Sequence, residues 1–218
     1  MITLLKKDIL IQKRILLFCL VYVLIIPLFF RNFEDKNLIF SASIMIVTYM
    51  LLTNACALEE KNKTEVLYNS LPVSRTKIVA ARYLSLFLYS AVASVYYLII
   101  SNLVTLLHLP LKIYPATLEG FFGGLITVII LNSIYLPVFF KMGFVKSRYV
   151  NLFLFFGVFF SITLVSQFAK AITNPVFIKL ISLFKLPQGN LLITAGISAL
   201  IMVISFFISC RIYNKKEF

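Results

Sequence analysis

Long apolar runs, separated by short and mostly basic polar segments, make up nearly the whole chain. A helix that crosses a bilayer needs about 20 mostly apolar residues, and six runs qualify: 15–33, 38–58, 83–107, 120–140, 150–169 and 190–210. The first is the weakest. Its uncharged core runs only from Ile15 to Phe30, so Lys13 and Arg14 have to snorkel to the headgroups at one end. Residues 1–14 place Ile2, Leu5 and Ile9 on one side with Lys6 and Lys13 nearby, which predicts an N-terminal amphipathic helix lying in the interface. Between the fifth and sixth runs, Asn174-Pro175 is a helix-start signal. The apolar stretch Val176–Phe184 that follows is too short to span and predicts a short outer helix on or dipping into the leaflet. The expected fold is all-α: a polytopic membrane protein with six transmembrane helices in one domain, residues 1–218.

Composition supports that reading. Of the 218 residues, 61% are hydrophobic and 13% charged, about half the charged fraction of a soluble globular domain. Such a chain cannot clothe itself in polar groups, so lipid is its solvent. The net charge of +13 would suggest nucleic acid in a soluble protein. Here the cations cluster between apolar runs, where orientation signals and lipid phosphate contacts place them, and no nucleic-acid partner is expected. With the N-terminus inside, 15 Lys and Arg fall in cytoplasmic segments and 6 in outer ones. That bias predicts a plasma-membrane protein with both termini cytoplasmic. The first run ends at Phe29-Phe30-Arg31 without a small-residue cleavage pattern, which favours a retained span over a signal peptide.

Formal charge is almost absent from the spans, and the notable polar residues in them are Asn54, Asn102, Asn132 and Gln167. These amides predict helix-to-helix hydrogen bonds rather than substrate contacts. Coupled carriers place an ionisable group near mid-membrane, and nothing here would serve. Glu119, at the mouth of the fourth span, reads as a solvated helix-start carboxylate. Cys19, Cys56 and Cys210 fall singly inside apolar runs and read as inert buried thiols. With His108 as the single histidine, they cannot assemble a typical catalytic zinc site. No glycine precedes a lysine, so there is no P-loop, and there is no Gly-x-Ser-x-Gly. Glu59-Glu60 invites comparison with membrane-embedded CAAX-type proteases, whose Glu-Glu-x-x-x-Arg needs an arginine where this chain has Thr64, and histidines in later helices. The residues therefore predict no enzyme and no metal or cofactor held by this chain.

The segment 59–83 is the informative one. From Glu60 to Ser70 it can form a short surface helix with Val66, Leu67 and Leu71 clustered; Pro72 stops it, and Ser74 is placed to cap the helix that becomes the third span. Arg75 and Lys77 then sit in a first helical turn, where the macrodipole prefers anions. That twice-broken rule calls for a compensating partner, either lipid phosphate or an acidic groove on another protein.

Glu59 at the end of the second span, then Thr64, Leu67, Leu71-Pro72-Val73-Ser74-Arg75, Ile78 and Arg82-Tyr83, resembles the pattern of type-2 ATP-binding-cassette (ABC) exporter permeases. The second inner loop, from Leu136-Pro137 through Lys141, Gly143, Lys146 and Arg148, is similar to the Pro…Lys-x-Gly-x-x-Lys-x-Arg signature of the small six-span members. The resemblance implies a coupling helix docked on a separate ATPase subunit, with Glu59, Glu60, Thr64, Leu67, Leu71, Pro72 and Arg75 as coupling residues. It implies ATP and magnesium in that partner, a second permease copy or close paralogue, and export of a lipid-like, amphipathic peptide or hydrophobic substrate. For Leu67 and Leu71, packing on the membrane surface is the competing reading. A non-transporting regulatory or immunity protein that binds a membrane peptide or signalling partner is the alternative function.

Overall fold

The computed structural model describes residues 12–29, 36–64, 74–107, 115–171 and 188–216, and these form six helices with no strand among them. They are α1 (Lys13–Phe29), α2 (Lys36–Lys61), α3 (Arg75–Leu106), α4 (Leu118–Met142), α5 (Phe144–Ala171) and α6 (Gln188–Lys215). Four carry stretches long and apolar enough to cross a membrane: Asn37–Lys61, Arg75–Leu106, Leu118–Met142 and Ile193–Lys215. In α1 the apolar stretch is only Ile15–Ile26. Most of the expected interfacial helix at 1–14, the outer helix at 176–184, and His108 lie outside the described residues.

The helices overrun the apolar windows that announce them. The third starts at Arg75, directly after the Ser74 expected to precede it and eight residues before its apolar run begins at 83. Apolarity marks only the part that meets hydrocarbon, whereas the backbone ladder continues wherever its N–H and C=O groups lack a better partner. For the same reason residues 13 and 14 belong to α1 rather than to a separate interfacial helix, and Leu16 N–H already donates to Gln12 O at 3.0 Å. Glu60, expected to open a new helix, is in the last turn of α2. The chain leaves α2 over Asn62 and Lys63, with Lys63 in the left-handed region at φ 47°.

Cross-helix contacts give the relative directions of α2 to α6. Asn37 meets Glu119 and Glu60 meets Phe144, so α2 and α4 run parallel. Glu59 meets Arg82 while Phe40 stacks on Tyr97 at 4.6 Å, so α3 runs against α2. Tyr49 packs on Phe155 at 4.6 Å, so α5 also runs against α2. Phe140 meets Tyr213, and Ser133 meets Ser205, which sets α6 parallel to α4.

At the centre α4 touches α2, α6 and α5, and it buries Leu131, Tyr135, Leu136, Phe139 and Phe140. Gly120 and Gly124 let it approach α2 closely. A Cβ on Gly120 would meet the Phe40 ring at 2.9 Å and Asn37 O at 3.2 Å; one on Gly124 would meet Ser41 O at 3.0 Å. This Gly-x-x-x-Gly spacing is a membrane helix-packing signal. The expected bridging role of Asn132 is not found: its amide donates to Val128 O at 2.8 Å, within α4. A side-chain amide can share the carbonyl four residues back, on its second lone pair, without crossing to another helix. Asn54 is half-buried and Asn102 exposed, while the side chain of Gln167 lies outside the described set.

Candidate functional site

Contacts from the two stems of the 65–73 segment converge on one end of the bundle. Its descending stem is the last turn of α2 with Glu59, Glu60 and Thr64; its ascending stem is Ser74 and the first turns of α3. An ion pair between Glu59 and the Arg82 guanidinium ties the stems together. Arg82 is only 4% exposed and Glu59 18%. A charge so far from water persists only when partnered, because an unpaired buried ion costs several kcal/mol (about 3–5 on losing one partner). Thr64 reinforces the descending stem, its Oγ1 donating to Glu59 O at 2.7 Å and satisfying a carbonyl left bare at the end of α2.

Glu60 reaches outward to α5. Its Oε2 accepts the N–H of Phe144, and also that of Val145 at 3.3 Å. These are bare amides at a positive helix end, so a carboxylate is favoured there. Gly143 makes the approach possible. At φ 77° it occupies backbone space that L side chains rarely adopt, and a Cβ there would stand 3.1 Å from Glu60 Oε2. The α4–α5 corner is thus shaped around the carboxylate of α2.

Arg75 ties the ascending stem to α6. Its Nη1 donates to Asn214 O at 2.9 Å, Lys216 O at 3.1 Å and, more weakly, Tyr213 O at 3.5 Å. The partner expected from lipid phosphate or another protein is therefore supplied by the chain itself. The negative end of the α6 dipole offsets the unfavourable placement of Arg75 at the positive end of α3. Ser74 holds the N-cap position with extended backbone, but its side chain makes no capping hydrogen bond, contrary to expectation. Instead the Thr76 hydroxyl donates to it at 3.4 Å. Lys77 is exposed.

Below these ionic ties runs a line of hydroxyls. Pro137 has no N–H to give, so the carbonyl of Ser133 loses its helical partner. The Ser205 hydroxyl of α6 fills the gap at 2.6 Å. With its proton spent there, Ser205 accepts from Tyr83, whose hydroxyl lies 2.6 Å away, and Tyr83 in turn accepts from Ser209 at 2.9 Å. Three helices are joined through one buried tyrosine of α3, one residue beyond the ion-paired Arg82.

Among the sequence-derived residues, Glu59, Glu60, Thr64 and Arg75 are brought to this junction, and Gly143 stands in it. Lys141, Lys146 and Arg148 are exposed around the corner. Leu67, Leu71 and Pro72 lie outside the described residues. The contributions of Arg82 as counter-ion and of Tyr83, Ser205 and Ser209 as a tie are additions. Opposite charges at facing ends of two apolar runs, with a tyrosine next to one, were the available signal. Among the described residues no group of three His, Cys, Asp or Glu is placed to hold a metal.

A family profile described as "ABC-2 family transporter protein" matches residues 3–214. Comparison with curated proteins and with solved structures finds no match.

Proposed function

Given that the chain belongs to the ABC-2 transporter family, whose members are the membrane permease subunits that work with an ABC ATPase, we propose that it acts in export. In this reading an ATPase subunit binds the 59–75 region from the cytoplasm and hydrolyses ATP with magnesium in its own site. A second copy or close paralogue completes the transport path in the plasma membrane. The fifteen-to-six bias of Lys and Arg supports placing this end, and both termini, in the cytoplasm.

One observation carries the reading: both stems of the 65–73 segment are tied to other helices. A push on that segment reaches α5 through Glu60, α6 through Arg75, and α2 and α3 together through Glu59 and Arg82. Rigid ties of this kind convert a displacement at one loop into a tilt of several helices. The buried polar side chains along the described spans are Ser, Thr, Asn, Tyr and the paired Arg82. Such a weakly polar interior supports a lipid-like, amphipathic peptide or hydrophobic cargo.

Leu67→Asp and Leu71→Asp test the coupling. A carboxylate forced into an apolar docking contact costs several kcal/mol (about 2–7 without a partner), enough to remove most of a micromolar association worth about 8 kcal/mol. Pull-down of the solubilised permease is expected to recover the ATPase with the native chain and far less with either variant. Full retention by both variants, with unchanged substrate-stimulated turnover, would remove this segment from the coupling path. A native chain that brings down no ATPase would favour the non-transporting alternative.

A further inference from the structure

Along α5, Val145, Tyr149, Leu152, Phe153 and Phe156 are exposed and recur at spacings of three and four residues, so they form one stripe. Ser147 and Asn151 are buried on the opposite side, and Phe155 packs inward on Tyr49. Phe153 is 80% exposed. At the start of the helix, Lys146 and Arg148 fall on the two flanks of this stripe, 100° per residue placing them on either side of Tyr149, and both are exposed. Arg148 is folded over the stripe rather than away from it. Its Nη2 donates to the Tyr149 hydroxyl at 3.0 Å, and its guanidinium carbon lies 4.9 Å from the ring centroid. Glu60, the carboxylate that reaches this corner, is engaged by the amides of Phe144 and Val145. Lys141, across the Gly143 turn, is a third exposed cation.

We propose that Lys146, Arg148 and Tyr149 form a binding site for the phosphate of an anionic phospholipid, whose acyl chains lie along Leu152, Phe153 and Phe156. The cations and the tyrosine hydroxyl match a phosphate at headgroup depth, and the apolar stripe continues from them in the direction that acyl chains run. An acidic protein would satisfy the cations but leave the aromatic stripe without a partner. A second copy seated on this face by a two-fold axis would set Lys146 and Arg148 against their own equivalents, in a chain already at +13. The site requires only that the bundle lies in a bilayer, so it stands apart from the export reading.

Native mass spectrometry of the full-length chain, extracted from vesicles of equal phosphatidylcholine and phosphatidylglycerol, tests the site. The native chain is expected to retain phosphatidylglycerol selectively. Lys146→Gln with Arg148→Gln is expected to lower that retention ~30-fold, the scale for two phosphate-facing cations, while phosphatidylcholine retention is unchanged. Arg148→Lys is expected to keep most of it. The control pair Arg211→Gln with Lys215→Gln removes the same charge from exposed positions on α6 and is expected to change little. An equal loss with the control pair, or no selectivity in the native chain, would overturn the site. So would efficient disulfide cross-linking of Phe153→Cys between two chains in the membrane, since that face would then be covered by protein.

Discussion

At the end of the bundle that holds Gly143, helix termini are joined by charge: Glu59 to Arg82, Glu60 to the first amides of α5, Arg75 to the last carbonyls of α6. At the opposite end of α2 and α4 the closure is small and solvated. Thr117 caps α4, its Oγ1 accepting from Gly120 N–H at 3.1 Å and donating to Asn37 Oδ1 at 2.6 Å, while the Asn37 amide donates to exposed Glu119 at 3.0 Å. Glu119 thus sits in a first helical turn, as a helix-start carboxylate should. The difference teaches where rigidity is needed. A buried ion pair is stringent, because either partner alone is stranded. A solvated cap can lose a member and let water take its place. The end that joins helices by charge is the one flanking the 65–73 segment, and the tolerant closure lies at the other.

The comparison breaks first, and with the largest effect, at Arg82. Arg82→Met is expected to destabilise the chain by about 3–5 kcal/mol, because mostly buried Glu59 loses this partner. Glu59→Gln with Arg82→Met is expected to recover much of the loss. Thermal unfolding in detergent measures both, and equal melting of the single and double variants would mean that the pair is not the brace. Gly143→Ala is expected to cost about 1–3 kcal/mol through its left-handed backbone, with Glu60 pushed off the α5 amides. Wild-type stability in this variant would mean the corner does not need its glycine. Smallest is the far end, where Thr117→Ala is expected to cost about 1 kcal/mol and Thr117→Ser almost nothing. A loss at Thr117 as large as that at Arg82 would erase the contrast between the ends.

Much of the fold was legible because lipid imposes simple demands. A run of apolar residues long enough to cross is also a helix, since its amides have no other partner there; each of the six runs overlaps a described helix, and four of those helices are long and apolar enough to cross. The ends were less legible. The apolar runs end at 58 and resume at 83 for reasons that concern solvent, while the backbone ladder ends where Lys63 turns left-handed and resumes after the extended Ser74. The misplaced Glu60 helix start comes from reading solvent preference as backbone geometry, whereas the start of the third helix after Ser74 was legible. At the junction, Arg75 could be singled out as a charge needing a partner and Glu59 and Glu60 through the family resemblance, but Asn132, expected to bridge to a neighbour helix, finds Val128 of its own helix sufficient.

By itself the sequence determined the class: an apolar, basic chain whose long runs form helices suited to a membrane. Composition and spacing suffice for that because they act locally, residue against solvent and residue against its own helix. Only the tertiary structure decided which charge answers which. Arg75 and the carbonyl of Asn214 are 139 residues apart in the chain, and Glu60 and Val145 are 85 apart. No local rule can choose the partner of a charge across such distances. The choice falls to the packing of α4 between its neighbours, which brings the ends of α2, α3, α5 and α6 together, and with them the few donors and acceptors that the helix termini leave unspent.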